Sequence, residues 1–170
     1  MKSAIVSCFP GCGKTHLHLN NTSSFKILDL ESTPFSTQNG WPENYINAII
    51  SKCGNYDIIL ISQHEEVLQL LQEKKYTFFV VSPNNSDYLS PKKRALIKQQ
   101  WFGRFFLRDN KHIINSIGFD EWLKIITENY EEWTSIEHLA KYSPSKIYLL
   151  DDGEYISDIV QKIYNDVRSL

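Results

Sequence analysis

Cys8-Phe9-Pro10-Gly11-Cys12-Gly13-Lys14-Thr15 is the stretch of this chain whose residue types and spacing carry the most chemistry. It follows the strand-like Ser3 to Ser7 and leads into the helix-like His16-Leu17-His18-Leu19. A glycine-rich turn between a strand and a helix, closed by Gly-Lys-Thr, is the pattern of a phosphate-binding loop. Gly11 and Gly13 let backbone N–H groups face phosphate oxygens, with Cys12 between them in the cradle and His16 at its helical edge. Lys14 would reach the β- and γ-phosphates, and the Thr15 hydroxyl would ligate magnesium. The pattern reads G-x-x-x-x-G-K-[ST], and Cys8 stands where it has its first glycine. A Cβ is accommodated there if the turn is not left-handed.

Magnesium beside Thr15 calls for a carboxylate at the end of a neighbouring strand. Lys26 to Glu31 supplies it: the run is strand-like, with Asp29 and Glu31 at its carboxyl end. Acids spaced by one residue in extended chain point to the same side. Asp29 is therefore expected at the metal or the acceptor, and Glu31 at the acceptor. Asp57 opens the third strand and is expected at the wrong end of the sheet, whereas Ser62, Gln63 and His64 close that strand, where they would meet an acceptor. Phe35, Trp41 and Tyr45 follow the acidic pair; each fits core packing, and Phe35 also fits a stacking wall for a bound base. Arg94, Arg104 and Arg108 are the guanidinium forks that would hold phosphate oxygens.

The elements that must position these residues alternate along the chain. Strand-like runs cover 3–7, 26–30, 56–62, 77–82 and 146–150, and several are apolar without alternation, as in strands buried on both faces of a parallel sheet. Helical patterns cover Pro42 to Lys52, His64 to Lys75, Ser90 to about Phe102, Asp120 to Trp133 with a continuation from Ser135 to Tyr142, and Ile156 to Val167. Pro42 and Pro91 sit where a first helical residue belongs. Strand alternating with helix predicts an α/β, three-layer α/β/α domain with a roughly five-stranded parallel sheet and ligands at the strands' carboxyl ends. The segment 103–118 has weak periodicity and several basic residues, and is expected as a lid.

Composition narrows the class. With 170 residues and 42% apolar content, the chain can bury one sizeable core, so one domain is expected. Its apolar runs fall far short of the roughly 20 residues of a membrane span, and no charged-then-apolar leader opens it, so a soluble, cytoplasmic protein is expected. Cys8, Cys12 and Cys53 are the only cysteines, which argues against a disulfide framework. Cys8, Cys12, His16 and His18 lack the second ligand pair of a zinc site. The span Lys92 to Lys111 carries seven basic residues against Asp109 alone, in a chain of net charge −2. A local basic segment on an acidic chain points to anionic ligand groups, with nucleic acid only as a substrate.

From Ala4 to Thr15 the chain resembles the P-loop nucleoside monophosphate kinases and their shikimate and gluconate kinase relatives, particularly the short, divergent phage-type nucleotide kinases. The order of elements is similar more loosely over the whole chain. The resemblance implies a parallel five-stranded core, ATP with Mg2+, an acceptor site after the second strand, and a lid with arginines. Carried over by position, Gly11, Gly13, Lys14 and Thr15 would hold triphosphate, Asp29 and Glu31 resemble the acidic pair of shikimate-type kinases, and Arg94, Arg104 and Arg108 would serve lid and acceptor phosphate. The family's strand-three Asp or Gly-rich signature and a clean lid motif are absent. Three readings follow: transfer to a (deoxy)nucleoside monophosphate, transfer to a hydroxyl of a small metabolite or modified nucleobase, and a non-catalytic nucleotide-responsive domain.

Overall fold

β1 (Ala4–Cys8), β2 (Ile27–Leu30), β3 (Ile58–Ser62), β4 (Phe78–Pro83) and β5 (Lys146–Leu150) pair in parallel in the order β2-β3-β1-β4-β5. The computed structural model describes residues 3–107 and 119–169. The helices are α1 (Lys14–Leu19), α2 (Thr33–Ser36), α3 (Glu43–Lys52), α4 (Glu65–Glu73), α5 (Pro91–Leu107), α6 (Phe119–Thr134), α7 (Ile136–Ala140) and α8 (Ile156–Arg168). No helix among the described residues is long and apolar enough to cross a membrane.

The strands read as continuous apolar runs because both faces of the sheet are covered. Successive side chains point to opposite faces. Ala4, Val6, Cys8, Ile58, Leu60, Phe79, Val81, Tyr148 and Leu150 therefore join one core with Leu17 of α1, Trp101 of α5 and Ile156, Val160 and Ile163 of α8. Ile5, Ile59, Ile61, Phe78 and Val80 join the other, with Tyr45, Ile46 and Ile49 of α3, Val67, Leu68 and Leu71 of α4, and Leu139 of α7. Ile58 to Ile61 are all fully buried. Truncating one of them to Ala would cost about 2–5 kcal/mol.

Register aligns the functional end. Cys8 sits opposite Ser62 and Val81, and Leu30 opposite Ile61, so the loops after β1, β2 and β3 leave the sheet at one level. At the other end Asp57 accepts the Lys26 backbone N–H at 2.7 Å, as expected for an acid at the wrong end for the site.

Several boundaries differ from expectation. Pro42 caps α3 as its N-cap residue after a cis Trp41–Pro42 bond and does not open the helix. On α4 the buried apolar positions are Val67, Leu68 and Leu71, with Leu70 only half-buried. Ser135 starts a separate helix, its hydroxyl accepting the His138 N–H at 3.1 Å, so α7 does not continue α6. Residues 103–107 extend α5 as regular helix, because Phe105 carries its apolar stripe into the core. Those five positions of the expected lid are helical; the rest of it, 108–118, with Arg108, lies outside the described residues.

Candidate active site

The loop from Phe9 to Gly13 is held from three sides. The Phe9 N–H donates to Val81 O at 2.9 Å and the Ile156 N–H to Cys12 O at 2.9 Å, while the Trp101 indole donates to Pro10 O at 2.6 Å. Gly11 and Gly13 have φ of +84° and +94°, left-handed conformations that L side chains adopt only with strain. They are also tight spots: a Cβ on Gly11 would come 3.2 Å from Trp101 Nε1, and one on Gly13 would come 3.1 Å from Tyr155 Cδ1. Cys8 is the last residue of β1 and has none of this geometry. The strand carries a Cβ there without strain, which accounts for the departure from the glycine pattern.

Thr15 opens onto Asp29 by the parity of β2. Ile27 faces the core under α1 while Leu28 and Leu30 face the other, so Asp29 emerges on the α1 side, and the Thr15 hydroxyl donates to its Oδ2 at 2.7 Å. Asp29 Oδ1 is buried with no hydrogen-bond partner. Donating its proton leaves the Thr15 oxygen's lone pairs free for a cation, and the orphaned carboxylate oxygen favours positive charge nearby. Among the described residues no three His, Cys, Asp or Glu side chains converge as a metal cluster. Magnesium would take its remaining ligands from phosphate oxygens and water, its usual preference.

Lys14 is only 7% exposed. Burial opposes its charge, but Cys12, Cys8, Asp29 and Glu31 outweigh that and hold its pKa above the ordinary 10.5. It is a fixed cation at neutral pH. The two thiols are fully buried and interact with each other. Burial, joined by the hydrogen bond to Cys12, pushes Cys8 well up; for Cys12 burial is outweighed by the bond from Cys8 and by Lys14, so it lies below 9.0. The Cys12 side chain thus points into the core, and it is the backbone of this residue that belongs to the cradle.

A cleft of about 300 Å3 lies over the loop, lined by Gly11, Gly13, Lys14, Thr15, His16, Arg104 and Tyr155. Arg104 is sandwiched there, its guanidinium carbon 4.3 Å from the Trp101 ring centre and 3.9 Å from that of Tyr155. Its Nη2 donates to Glu154 O at 2.8 Å, and its Nη1 is buried without a partner. Trp101 and Tyr155 were not expected here as site residues. Tyr155 had a readable signal, since it follows the carboxyl end of β5, where the ligand-end rule applies.

On the other flank, Ser32 Oγ and His64 Nε2 are 2.9 Å apart, Trp41 meets His64 edge to face at 5.1 Å, and Phe35 packs on Tyr45 at 5.2 Å. The Ser62 N–H donates to the Tyr45 hydroxyl at 3.3 Å. Burial holds the His64 pKa below the ordinary 6.5; Lys14 acts in the same direction and Glu66 and Glu31 against it. Glu31, Phe35, Ser62 and His64 thus share one flank of the loop.

Arg94 does not join them. It pairs with Asp87 at 2.8 Å and lines neither this cleft nor its neighbour. The basic segment is largely used within the fold: Lys93 pairs with Asp152 and Lys98 with Glu131, each at 2.6 Å. These pairs fasten α5 to the β5 end and to α6, so among the described residues of the run Lys93, Arg94 and Lys98 serve as intramolecular ties. Compared with family models, with curated proteins and with solved structures, the chain matches none.

Proposed function

We propose that this chain transfers the terminal phosphoryl group of ATP to a small acceptor, a (deoxy)nucleoside monophosphate in the first reading. The observation that carries this is the Thr15–Asp29 hydrogen bond beside the buried Lys14 ammonium in a loop with two positive-φ glycines. Phosphoryl transfer asks a protein chiefly for positioning and charge neutralisation. Lys14 supplies a cation for the phosphate oxygens. Arg104 lines the same cleft, and its stack between Trp101 and Tyr155 would fix the guanidinium plane for contact with phosphate oxygens. Thr15 and Asp29 would hold Mg2+, which would offset the charge of the phosphate groups. Asp29 and Glu31 would orient the attacking group of the acceptor. The lack of a disulfide among the cysteines supports a cytoplasmic location.

A hydroxyl acceptor is the second reading, favoured by Arg94: its pairing with Asp87 removes one of the three guanidinium groups that a second phosphate would need. The test incubates the protein with Mg2+-ATP and a panel of ribo- and deoxynucleoside monophosphates and nucleosides, resolving products by chromatography, with Lys14→Ala as control. A diphosphate supports the first reading and a new monoester the second. Tight ATP binding with no product from any acceptor would leave a nucleotide-responsive domain instead.

A further inference from the structure

A second cleft, of about 530 Å3, begins at Phe9 and Pro10 and runs between α4 and α7; it has no lining residue in common with the cleft over Gly13 and Lys14. Its volume is that of a small-molecule site, and the charged carboxylates in its lining are Glu65 and Glu66.

Gln63 Nε2 donates to Trp133 O at 3.3 Å, which fixes the amide's orientation and leaves Oε1, buried and without a partner, as an acceptor. The His138 side chain is 7% exposed, with Nε2 3.2 Å from Glu65 Oε1. Its Nδ1 stands 3.6 Å from Glu132 Oε1, so the imidazole lies between two carboxylates and adds no anion-binding group. Glu65 and Glu66 add two carboxylates, the lining includes no Lys or Arg, and Phe9, Trp133 and Tyr142 supply aromatic walls. A phosphate would meet lone pairs and negative charge here. A planar cation rich in N–H donors would meet acceptors for its edge and rings for its face.

We propose that this cleft binds a small organic cation bearing a guanidinium or amidinium head, with Gln63 Oε1 accepting from its N–H groups and Glu65 and Glu66 balancing its charge. The proposal goes beyond phosphoryl transfer and stands whether or not ATP is used, because no residue of the triphosphate cleft takes part.

The probe is (4-aminobutyl)guanidine, titrated into nitrogen-15-labelled protein without nucleotide, with N-butylurea as the uncharged control. Resonances of the Trp133 indole and the Gln63 amide are assigned with Trp133→Phe and Gln63→Leu. The expected result is a saturable shift of both signals, at least about tenfold weaker affinity for the urea, and about tenfold weaker guanidine binding in Glu65→Gln/Glu66→Gln, roughly one 1.4 kcal/mol step. Both glutamates are exposed and Gln keeps an acceptor beside His138, so the double variant is expected to fold, and the nitrogen-15 spectrum of the free variant checks this independently. Equal affinity for the two probes, shifts that map elsewhere, no saturable shift, or unchanged binding in the double variant would each overturn the assignment.

Discussion

Thr15 donates its hydroxyl proton to Asp29 across 2.7 Å, joining the first residue pair of α1 to the end of β2. The bond sets which face of the Thr15 oxygen is free and ties the acidic strand end to the phosphate loop. A carboxylate one bond removed from a metal ligand typically changes metal affinity or activity 10–100-fold when lost. Asp29→Asn is therefore expected to raise the Mg2+ concentration for half-maximal ATP turnover by about 10–100-fold. A magnesium titration of turnover checks it, and an unchanged midpoint would mean that Asp29 has no part in holding the metal.

Arg104 combines two ring contacts with a place in the cleft over the loop. Lysine lacks the planar fork and stacks poorly. Arg104→Lys is thus expected to weaken ATP binding nearly as much as Arg104→Ala, on the order of tenfold, since a charge-assisted hydrogen bond contributes about 1.5–3 kcal/mol. Calorimetric titration of ATP into both variants decides. Full retention by the lysine variant would show that charge alone suffices at this position.

Much of this arrangement was legible in the residues. Apolar runs without alternation marked strands covered on both faces, and Asp29 could be placed because it stands at the carboxyl end of a strand-like run. The turn after β1 was legible because its backbone demands glycine at φ that other residues avoid, and Gly11 and Gly13 meet that demand. Partners across long sequence separations were not. Arg94 and Arg104 look alike as basic residues on one helix, and only the fold decides that the first meets Asp87 while the second reaches Tyr155. His138 sits on a five-residue helix with no motif around it, so nothing local signals that it faces Glu65.

Cys12 gives a separate expectation. Cys8 and Cys12 are fully buried while Cys53 is half-buried, and thiol reagents require access as well as thiolate. Native protein should label first at Cys53, with Cys8 and Cys12 reacting only on unfolding. Peptide mapping after brief treatment with iodoacetamide tests the order. Prompt labelling of Cys12 would show that the loop opens readily in solution.

His64 makes stability depend on pH in a definite direction. Its pKa is held below 6.5 in the fold, mainly by burial, so protonation favours the unfolded chain. The contribution is fully present above 6.5 and is lost as pH falls from there through the lower folded value. Urea unfolding between about pH 7.5 and pH 5 should show the native chain losing more stability than His64→Gln. Parallel curves for the two proteins would mean that His64 titrates alike in both states.

Gly13 and Gly54 separate backbone strain from crowding. Both have positive φ, +94° and +86°, but a Cβ on Gly13 meets Tyr155 at 3.1 Å whereas one on Gly54 meets nothing within 4 Å. Gly54→Ala should cost only the left-handed penalty, about 1–2 kcal/mol. Gly13→Ala should cost that plus about 1 kcal/mol of overpacking against the ring. In a double-mutant cycle with Tyr155→Ala, the excess should disappear from the cost of Gly13→Ala and appear as the coupling energy. Equal losses for the two alanine variants, with no coupling to Tyr155, would mean that the ring moves aside without cost and does not fix the shape of the loop.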